Sequence, residues 1–105
     1  MPDVLFDVRW PDGSTQSFYS PSTIVRDYFE AGADYTLDDF VERTRECMTI
    51  ADDRVRAKYG IGCSESAMTI AGVEYGARRH AERPDADTAR VRVERFRSWG
   101  APPAP

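Results

Sequence analysis

The sequence predicts an α+β fold in which a three-stranded antiparallel sheet packs against an antiparallel pair of helices. Apolar and polar residues alternate near both ends of the chain, as half-buried strands require. Between these ends, apolar residues recur at intervals of three and four over two long segments, which is typical of amphipathic helices. The order strand, strand, short helix, long helix, helix, strand allows one sheet face to bury both apolar helix stripes.

The first two strands are predicted to form a hairpin. In the segment 4–10, the valines, the phenylalanine and the tryptophan share one face, whereas Asp7 and Arg9 belong to the other. Pro11-Asp12-Gly13 then combines a fixed φ, a side chain that bonds its own backbone and a residue free to take a positive φ. The segment from Thr15 to Tyr19 returns antiparallel to the first strand.

Residues 20–35 are predicted to contain one short helix and one loop. Ser20-Pro21-Ser22-Thr23 joins preferred N-cap residues to a proline, which a helix accepts in its first turn. A short helix from about Ser22 to Phe29 is expected to follow. Glu30 to Tyr35 is then predicted as a loop, with Gly32 as its left-handed residue.

A long helix is predicted from Thr36 to Tyr59. Thr36 and Asp39 form a capping box in which aspartate replaces the usual glutamate. The buried stripe is expected to consist of Leu37, Phe40, Val41, Thr44, Met48, Ala51, Val55 and Tyr59. Gly60 is a natural C-terminal cap, so the stretch YGIGCS, residues 59–64, predicts a tight corner into a second helix from about Glu65 to Ala81.

A third strand is predicted from Thr88 and is expected to pair with the hairpin. Small and apolar residues at positions 89, 91 and 93 face one way, while Arg90, Arg92 and Glu94 face the other. The alternation slips at Phe96, which predicts a bulge or the end of the strand.

Length, charge and hydropathy limit the class of protein. At 105 residues the chain suits one α+β domain, which we assign to residues 1–99, followed by a mobile Pro/Ala tail at residues 100–105. A formal charge of -4 disfavours a protein that binds mainly by neutralising phosphates or anionic lipid. Without a leader-like start or an apolar run approaching about 18 residues, the protein is predicted to be cytoplasmic with no membrane partner.

Cys63 is the one candidate for a catalytic group, and a weak one. It lies at the predicted start of the second helix, where the helix dipole and unpaired N–H groups favour a thiolate. The single histidine, His80, is predicted at a solvated helix end, on the order of 25 Å away along the same helix. A small residue at a helix corner is therefore the favoured interpretation, and Cys47 is predicted to be a core or core-edge residue.

Three hydroxyl residues, Ser20, Ser22 and Thr23, form a candidate ligand or anion site at a helix start. Capping around a proline explains the same residues without a ligand, and this interpretation is favoured. With one histidine and no paired cysteine or histidine spacing, no metal site is predicted. No glycine-rich phosphate loop is present, and no cofactor is predicted.

Arginines gather late in the chain and form a basic patch. The group comprises Arg78, Arg79, Arg83, Arg90, Arg92, Arg95 and Arg97, with Trp99. On a strand Arg90 and Arg92 share one face, so these two residues and Trp99 are the partner-docking candidates. An acidic protein is favoured over nucleic acid because the net charge is negative and no aromatic RNA-reading signature is present. If the strand lies at a sheet edge, its arginines instead deter aggregation.

Three motifs in this order resemble a bacterial family. They are RWPDG at residues 9–13, YSPST at 19–23, and VRAKYG followed by CS within 55–64. Together they resemble the nitrogen starvation response proteins encoded in nitrilase-containing gene clusters, over most of the chain. The resemblance implies a nitrogen-stress setting, with neighbouring genes for a nitrilase, a radical enzyme, an acetyltransferase and a flavoprotein, and it carries over no catalytic residue. The chain departs from the family at Phe18 and Ile61, where cysteine and an aromatic residue are usual.

The leading functional prediction is a non-enzymatic accessory or interaction protein. It is expected to act with a partner enzyme in a nitrogen-starvation pathway, the partner being the product of a neighbouring gene. The alternative is a small enzyme or ligand-binding module that uses Cys63 and the Ser20–Thr23 hydroxyls. Nucleic-acid binding through the arginine strand ranks third, and a homo-oligomer is compatible with the sequence.

Overall fold

The computed structural model describes residues 3–62 and 64–98. Four strands form one antiparallel sheet in the order β2-β1-β4-β3. The strands are β1 (Val4–Arg9), β2 (Thr15–Ser20), β3 (Asp34–Thr36) and β4 (Arg90–Ser98). The helices are α1 (Val25–Tyr28), α2 (Leu37–Tyr59) and α3 (Ser64–Ala81). The predicted α+β class with an antiparallel sheet is confirmed.

The sheet contains one strand more than the sequence predicts. Residues 34–36, expected in a loop and at a helix cap, form β3 and pair with β4. The pairing continues beyond β3, because Gly32 N–H donates to the Val93 carbonyl at 2.7 Å and Val93 N–H donates to the Ala33 carbonyl at 3.1 Å. Three residues are too few for an alternation pattern to be visible. β4 therefore lies between β1 and β3 over residues 90–93, and the edge-strand interpretation of Arg90 and Arg92 is wrong.

The predicted hairpin of β1 and β2 is confirmed, with a tight turn after Trp10. Trp10 N–H donates to the Ser14 carbonyl at 2.8 Å, and Gly13 N–H donates to the Trp10 carbonyl at 2.9 Å. Gly13 has a φ of 88°, in the left-handed region that glycine favours. The Asp12 carboxylate accepts a hydrogen bond from Ser14 N–H, which completes the turn.

α1 is shorter than the predicted helix from Ser22 to Phe29. The Ser22 hydroxyl accepts a hydrogen bond from Ile24 N–H, and Arg26 N–H donates to a carbonyl three residues back, so the segment begins as a tight turn. Phe29 takes an extended backbone. This conformation brings its ring against Phe6, with the ring centroids 6.0 Å apart.

α2 begins and ends where its caps predict. The Thr36 hydroxyl accepts a hydrogen bond from Asp39 N–H at 3.1 Å, and Gly60 adopts a φ of 83° after the last turn. The helix has 23 residues, which at ~1.5 Å per residue makes it about 35 Å long. Phe40 and Met48 lie on its buried face, and both are completely buried in the core.

The core lies between one face of the sheet and the long helices. Phe6, Val8 and Val93 contribute from the sheet, and each is fully buried. Trp10 meets Phe40 edge-on, with ring centroids 5.8 Å apart. Full burial of one such large apolar side chain contributes about 1.5–3 kcal/mol, so this layer supplies most of the driving force for folding.

α3 packs against the hairpin through Gly76 and His80. A Cβ atom at Gly76 would lie 2.5 Å from Cη2 of Trp10, so the helix comes this close only because residue 76 has no side chain. His80 is 7% exposed and stacks on the Trp10 ring, with centroids 5.3 Å apart and planes 13° from parallel. The prediction that His80 is solvated is therefore wrong, because its ring stacks on Trp10, whereas Arg78 and Arg79 beside it are exposed.

Candidate functional site

A β-bulge in β4 brings four arginines onto one face of the sheet. Val8 lies opposite Val93 and Asp7 lies opposite Arg95, so Glu94 is one residue too many for the ladder. Because an extra residue reverses the alternation, the arginines on both sides of the bulge share a face. They are Arg90, Arg92, Arg95 and Arg97. The slip that the sequence predicts at Phe96 is a bulge, and it occurs at Glu94.

We call this surface the outer sheet face. It comprises Asp7, Arg9, Asp34, Arg90, Arg92, Glu94, Arg95 and Arg97. Five arginines outnumber three carboxylates here, although the whole chain carries a formal charge of -4. The opposite face carries Val4, Phe6 and Val8, which are buried in the core. The outer sheet face is thus a locally basic surface on an acidic protein.

Asp7 forms the centre of the outer sheet face. Its carboxylate accepts hydrogen bonds from Arg97 Nε and Nη2, both at 2.8 Å, from Arg95 Nε at 2.7 Å and from the Ser17 hydroxyl at 2.6 Å. Arg97, followed by Ser17 and Arg95, holds the pKa of the Asp7 carboxyl well below its usual range, although burial acts in the opposite direction. Asp7 is therefore ionised at neutral pH and fixes the orientation of two arginines.

The two arginines around Asp7 remain accessible. The side chain of Asp7 is 10% exposed, whereas that of Arg95 is 70% exposed and that of Arg97 is 45% exposed. Arg95 bonds to Asp7 through Nε, and its terminal amino groups make no hydrogen bond within the described chain. Such a guanidinium is held in place by one carboxylate and can still donate to another.

Two exposed ion pairs flank this centre. Arg92 donates to both Asp34 carboxylate oxygens, at 2.9 and 3.2 Å, and this contact lowers the pKa of the Asp34 carboxyl. Arg9 Nε donates to Glu94 at 2.7 Å across the bulge. Both pairs are partly exposed to water, so they contribute little to the stability of the fold. Their main effect is to restrict the orientations of the two arginine side chains.

The predicted docking candidates Arg90 and Arg92 lie on the outer sheet face, whereas Trp99 lies outside the described residues. Arg90 donates only to the carbonyls of Asp87 and Ala89, at 3.4 and 3.1 Å, and pairs with no described carboxylate. Sequence reasoning did not include Arg9 in this site. The alternation in β1 does assign Arg9 to the polar face, but its proximity to β4 depends on strand pairing.

The hydroxyls of the YSPST turn differ in their surroundings. Ser20 is fully buried, and its hydroxyl donates to the Ser22 carbonyl at 2.7 Å. The Ser22 hydroxyl accepts hydrogen bonds from Ile24 N–H at 3.3 Å and from Arg54 Nη1 at 3.1 Å. Thr23 is exposed. The serine hydroxyls therefore support the local turn, and an anion at this turn stays a prediction.

The cysteine predictions concern two different environments. Cys63 lies outside the described residues. Cys47 is completely buried on α2, and its Sγ lies 3.5 Å from the Thr44 carbonyl. Burial raises the pKa of the Cys47 thiol to about 12. This cysteine is a core residue, as its position beside the apolar stripe predicts.

An open groove of about 920 Å³ lies between the start of α2 and the end of α3. Asp38, Glu42, Glu74 and Asp87 line it together with Arg45 and Arg78. Arg45 and Glu74 form an ion pair across the two helices. The groove has mixed charge and is typical of a solvated helix surface.

Neither a cluster of metal ligands nor a membrane-spanning helix occurs among the described residues. Within 3–62 and 64–98, no three histidine, cysteine or acidic residues are grouped so that they could hold a metal ion. Among the helices of the same ranges, none combines the length and the hydropathy needed to cross a bilayer.

Comparison with known proteins identifies the family. No match to the chain was found among curated proteins or among solved structures. Residues 5–96 match the family model described as nitrogen starvation-induced protein NitG. Since this match covers most of the chain, the protein belongs to the family of nitrogen starvation-induced proteins.

Proposed function

We propose that this chain is a cytoplasmic, non-enzymatic interaction protein that docks a partner enzyme during nitrogen starvation through the outer sheet face. The observation that carries the proposal is an arginine-rich sheet face on which no described helix packs. The family match supports the nitrogen-starvation setting. The partner would be the product of a neighbouring gene, as the resemblance to nitrilase-cluster proteins implies.

The charge pattern of this face favours an acidic protein surface over nucleic acid. Arg9, Arg92 and Arg95 alternate with carboxylates, so a continuous row of phosphates would meet repulsion at Asp7, Asp34 and Glu94. Another protein can place acidic residues against the arginines and neutral residues against the carboxylates. The formal charge of -4 adds to the repulsion of a polyanion.

The arginines are also arranged so that docking costs little side-chain entropy. Asp7 holds Arg97 through two hydrogen bonds, and Asp34 holds Arg92 in the same two-bond manner. Fixing a long side chain at an interface costs about 0.5–1.5 kcal/mol, which preorganisation reduces. A second copy of this chain is a poorer occupant, because each copy would bring five arginines and only three carboxylates, so some arginines would lack an acidic partner.

The test begins with a tagged chain purified from nitrogen-starved cells, followed by mass spectrometry of the proteins that stay bound. Each candidate partner is then purified and titrated directly against the wild type and the double variant Arg90→Glu/Arg92→Glu. The expected result is a Kd at least about tenfold weaker for the double variant, and weaker binding of the wild type at higher salt.

A matched control separates the docking surface from net charge. Arg78→Glu/Arg79→Glu changes the charge by the same amount on α3, where both arginines are exposed, and should leave the Kd unchanged. Equal losses in the two double variants would show a general charge effect and would contradict the assignment of the surface. Unchanged binding in both variants would contradict it as well.

A further inference from the structure

A pocket of about 410 Å³ opens at the corner where α2 ends and α3 begins. It lies on the helical side of the molecule and shares no residue with the outer sheet face. Its volume is within the range of about 300–1,000 Å³ that is usual for small-molecule sites. The pocket is therefore large enough for a small ligand, and it is separate from the surface proposed for partner docking.

Ser66, in the first turn of α3, is one of the residues that line this pocket, and its buried hydroxyl has no hydrogen-bond partner. The residue is only 2% exposed, and it holds the one buried side-chain polar atom in the described chain that lacks a partner. A helical serine normally donates to the carbonyl four residues back, but that residue is Gly62, which precedes the helix. An isolated buried hydroxyl is costly, so its presence in a pocket points to a ligand group that bonds to it.

The other donors around the pocket favour an anionic ligand group. The N–H groups of the first turn of α3 have no partners within the helix, and the helix dipole adds positive potential at this end. Arg56 also lines the pocket, and its guanidinium lies next to Gly62. A Cβ atom at Gly62 would lie 2.7 Å from Arg56 Nη2, so a side chain at residue 62 would displace the guanidinium.

The rest of the lining defines the size and character of the ligand. Asp52 contributes a carboxylate, whose charge is balanced by Arg56 at 2.9 Å. Met48, Ala67 and Ile70 provide the apolar part of the pocket lining. A ligand with one oxyanion and a short apolar body matches both halves of this lining, whereas a bare inorganic anion matches only the polar half.

We infer that this pocket binds a small organic carboxylate. One carboxylate oxygen accepts a hydrogen bond from the Ser66 hydroxyl and from N–H groups in the first turn of α3. The aliphatic part packs against Met48, Ala67 and Ile70. This binding involves no covalent step and does not depend on the docking function proposed above.

The test is a chemical-shift titration of the full ¹⁵N-labelled chain with three probes. Isobutyrate is the carboxylate, isobutyramide is its neutral isostere, and inorganic phosphate is an oxyanion without an apolar body. Saturable shifts of the amides at the start of α3 are expected with isobutyrate alone. Ser66→Ala should weaken isobutyrate binding about tenfold, whereas the matched variant Ser98→Ala, on an exposed strand end, should leave it unchanged.

A second measurement distinguishes a ligand-binding hydroxyl from a structural one. In the absence of ligand, Ser66→Ala should raise the Tm, because it removes a buried hydroxyl that has no partner. A lower Tm would mean that the hydroxyl stabilises the fold, and it would overturn the inference. Equal binding of isobutyramide, binding of phosphate in place of isobutyrate, or no saturable shift with any probe would each overturn it too.

Discussion

At the residue scale, the Asp7 carboxylate binds Arg95, Arg97 and Ser17. Its bonds to the two arginines link β1 to β4, two strands that are far apart in sequence. The carboxylate lies on β1, and both arginines come from β4, 88 and 90 residues later. Charged hydrogen bonds to a nearly buried carboxylate are stronger than exposed ion pairs. Asp7 therefore has a role in stability as well as in orienting Arg95 and Arg97.

Replacement of Asp7 by asparagine should lower the free energy of unfolding at neutral pH by about 1–2 kcal/mol. The loss is no larger because Arg95 and Arg97, which bind the carboxylate, are themselves exposed to water. Chemical denaturation measures this change. Asp34→Asn is the matched control, because its ion pair with Arg92 is far more exposed than Asp7, and it should cause a clearly smaller loss. A loss for Asp34→Asn that equals the loss for Asp7→Asn would contradict this ranking.

The low pKa of Asp7 also predicts a pH dependence. Since the pKa is lower in the folded state than in the unfolded chain, the ionised carboxylate stabilises the fold at pH values above the ordinary aspartate pKa of about 3.9. This contribution is lost as the pH falls below that value. The difference in stability between the wild type and Asp7→Asn should thus narrow in acid, and a difference that widened would have the wrong sign.

At the element scale, β4 presents its arginines on one face because the bulge at Glu94 corrects the alternation. Val91 and Val93 precede the bulge and face the core, and Phe96 follows it on the same side. If β4 paired with β1 without a bulge at Glu94, strict alternation would place either Phe96 or the pair Val91 and Val93 on the solvent-facing side of the sheet. The bulge is therefore a requirement of this sequence.

Deletion of Glu94 should be tolerated, because the shortened strand would pair regularly with β1 while every neighbour kept its face. Deletion of Arg92 is the matched control, since it would shift Val91 outward and Arg90 toward the core. We expect a change of less than about 1 kcal/mol for the first deletion and loss of the native state for the second. Circular dichroism with urea unfolding measures both, and similar losses would contradict the register.

The contact of α3 with the hairpin depends on Gly76. Alanine favours helices over glycine by about 1 kcal/mol, yet Gly76→Ala would place a methyl group in the Trp10 ring, and overpacking costs about 1–3 kcal/mol. A net decrease in the Tm is expected. Gly72→Ala is the control, because its Cβ would lie 3.1 Å from the Phe18 ring, and it should decrease the Tm less.

At the scale of the whole molecule, the layers determine which surface is free. The long helices cover one sheet face, where Phe6, Val8 and Val93 are fully buried. The other face carries charges that belong in water or against a polar partner. The outer sheet face is accordingly the broad surface of the sheet that a partner can reach without disturbing the core.

The shared core also predicts that the described elements unfold together. Phe40 on α2 meets Trp10, at the start of the hairpin turn, and is fully buried. Phe40→Ala should therefore lower the free energy of unfolding by about 3–5 kcal/mol. Helix signal and tryptophan fluorescence should be lost in one coincident transition, whereas Tyr75→Ala, at an exposed position, should change little. Separate transitions would contradict a single core.

Local patterns in the sequence determined the α+β class, the hairpin, both long helices and their caps. Each of these depends on neighbours within a few residues, such as Pro11-Asp12-Gly13 for the turn or Gly60 for the helix end. The alternation also determined that Arg90 and Arg92 share a face and that β4 contains an irregularity. These features need no knowledge of which strands meet.

Tertiary structure alone decided the fourth strand, the burial of His80 and the composition of both candidate sites. β3 is too short to show a period and exists because β4 pairs with it. His80 is buried because Trp10, 70 residues earlier, stacks on it. Arg9 and Asp7 join the arginines of β4, and Ser66 loses its partners, only through contacts made in the folded chain. Long-range strand pairing and the burial of polar groups depend on residues that are far apart in sequence. No local sequence pattern indicates them, so only the tertiary structure shows these features.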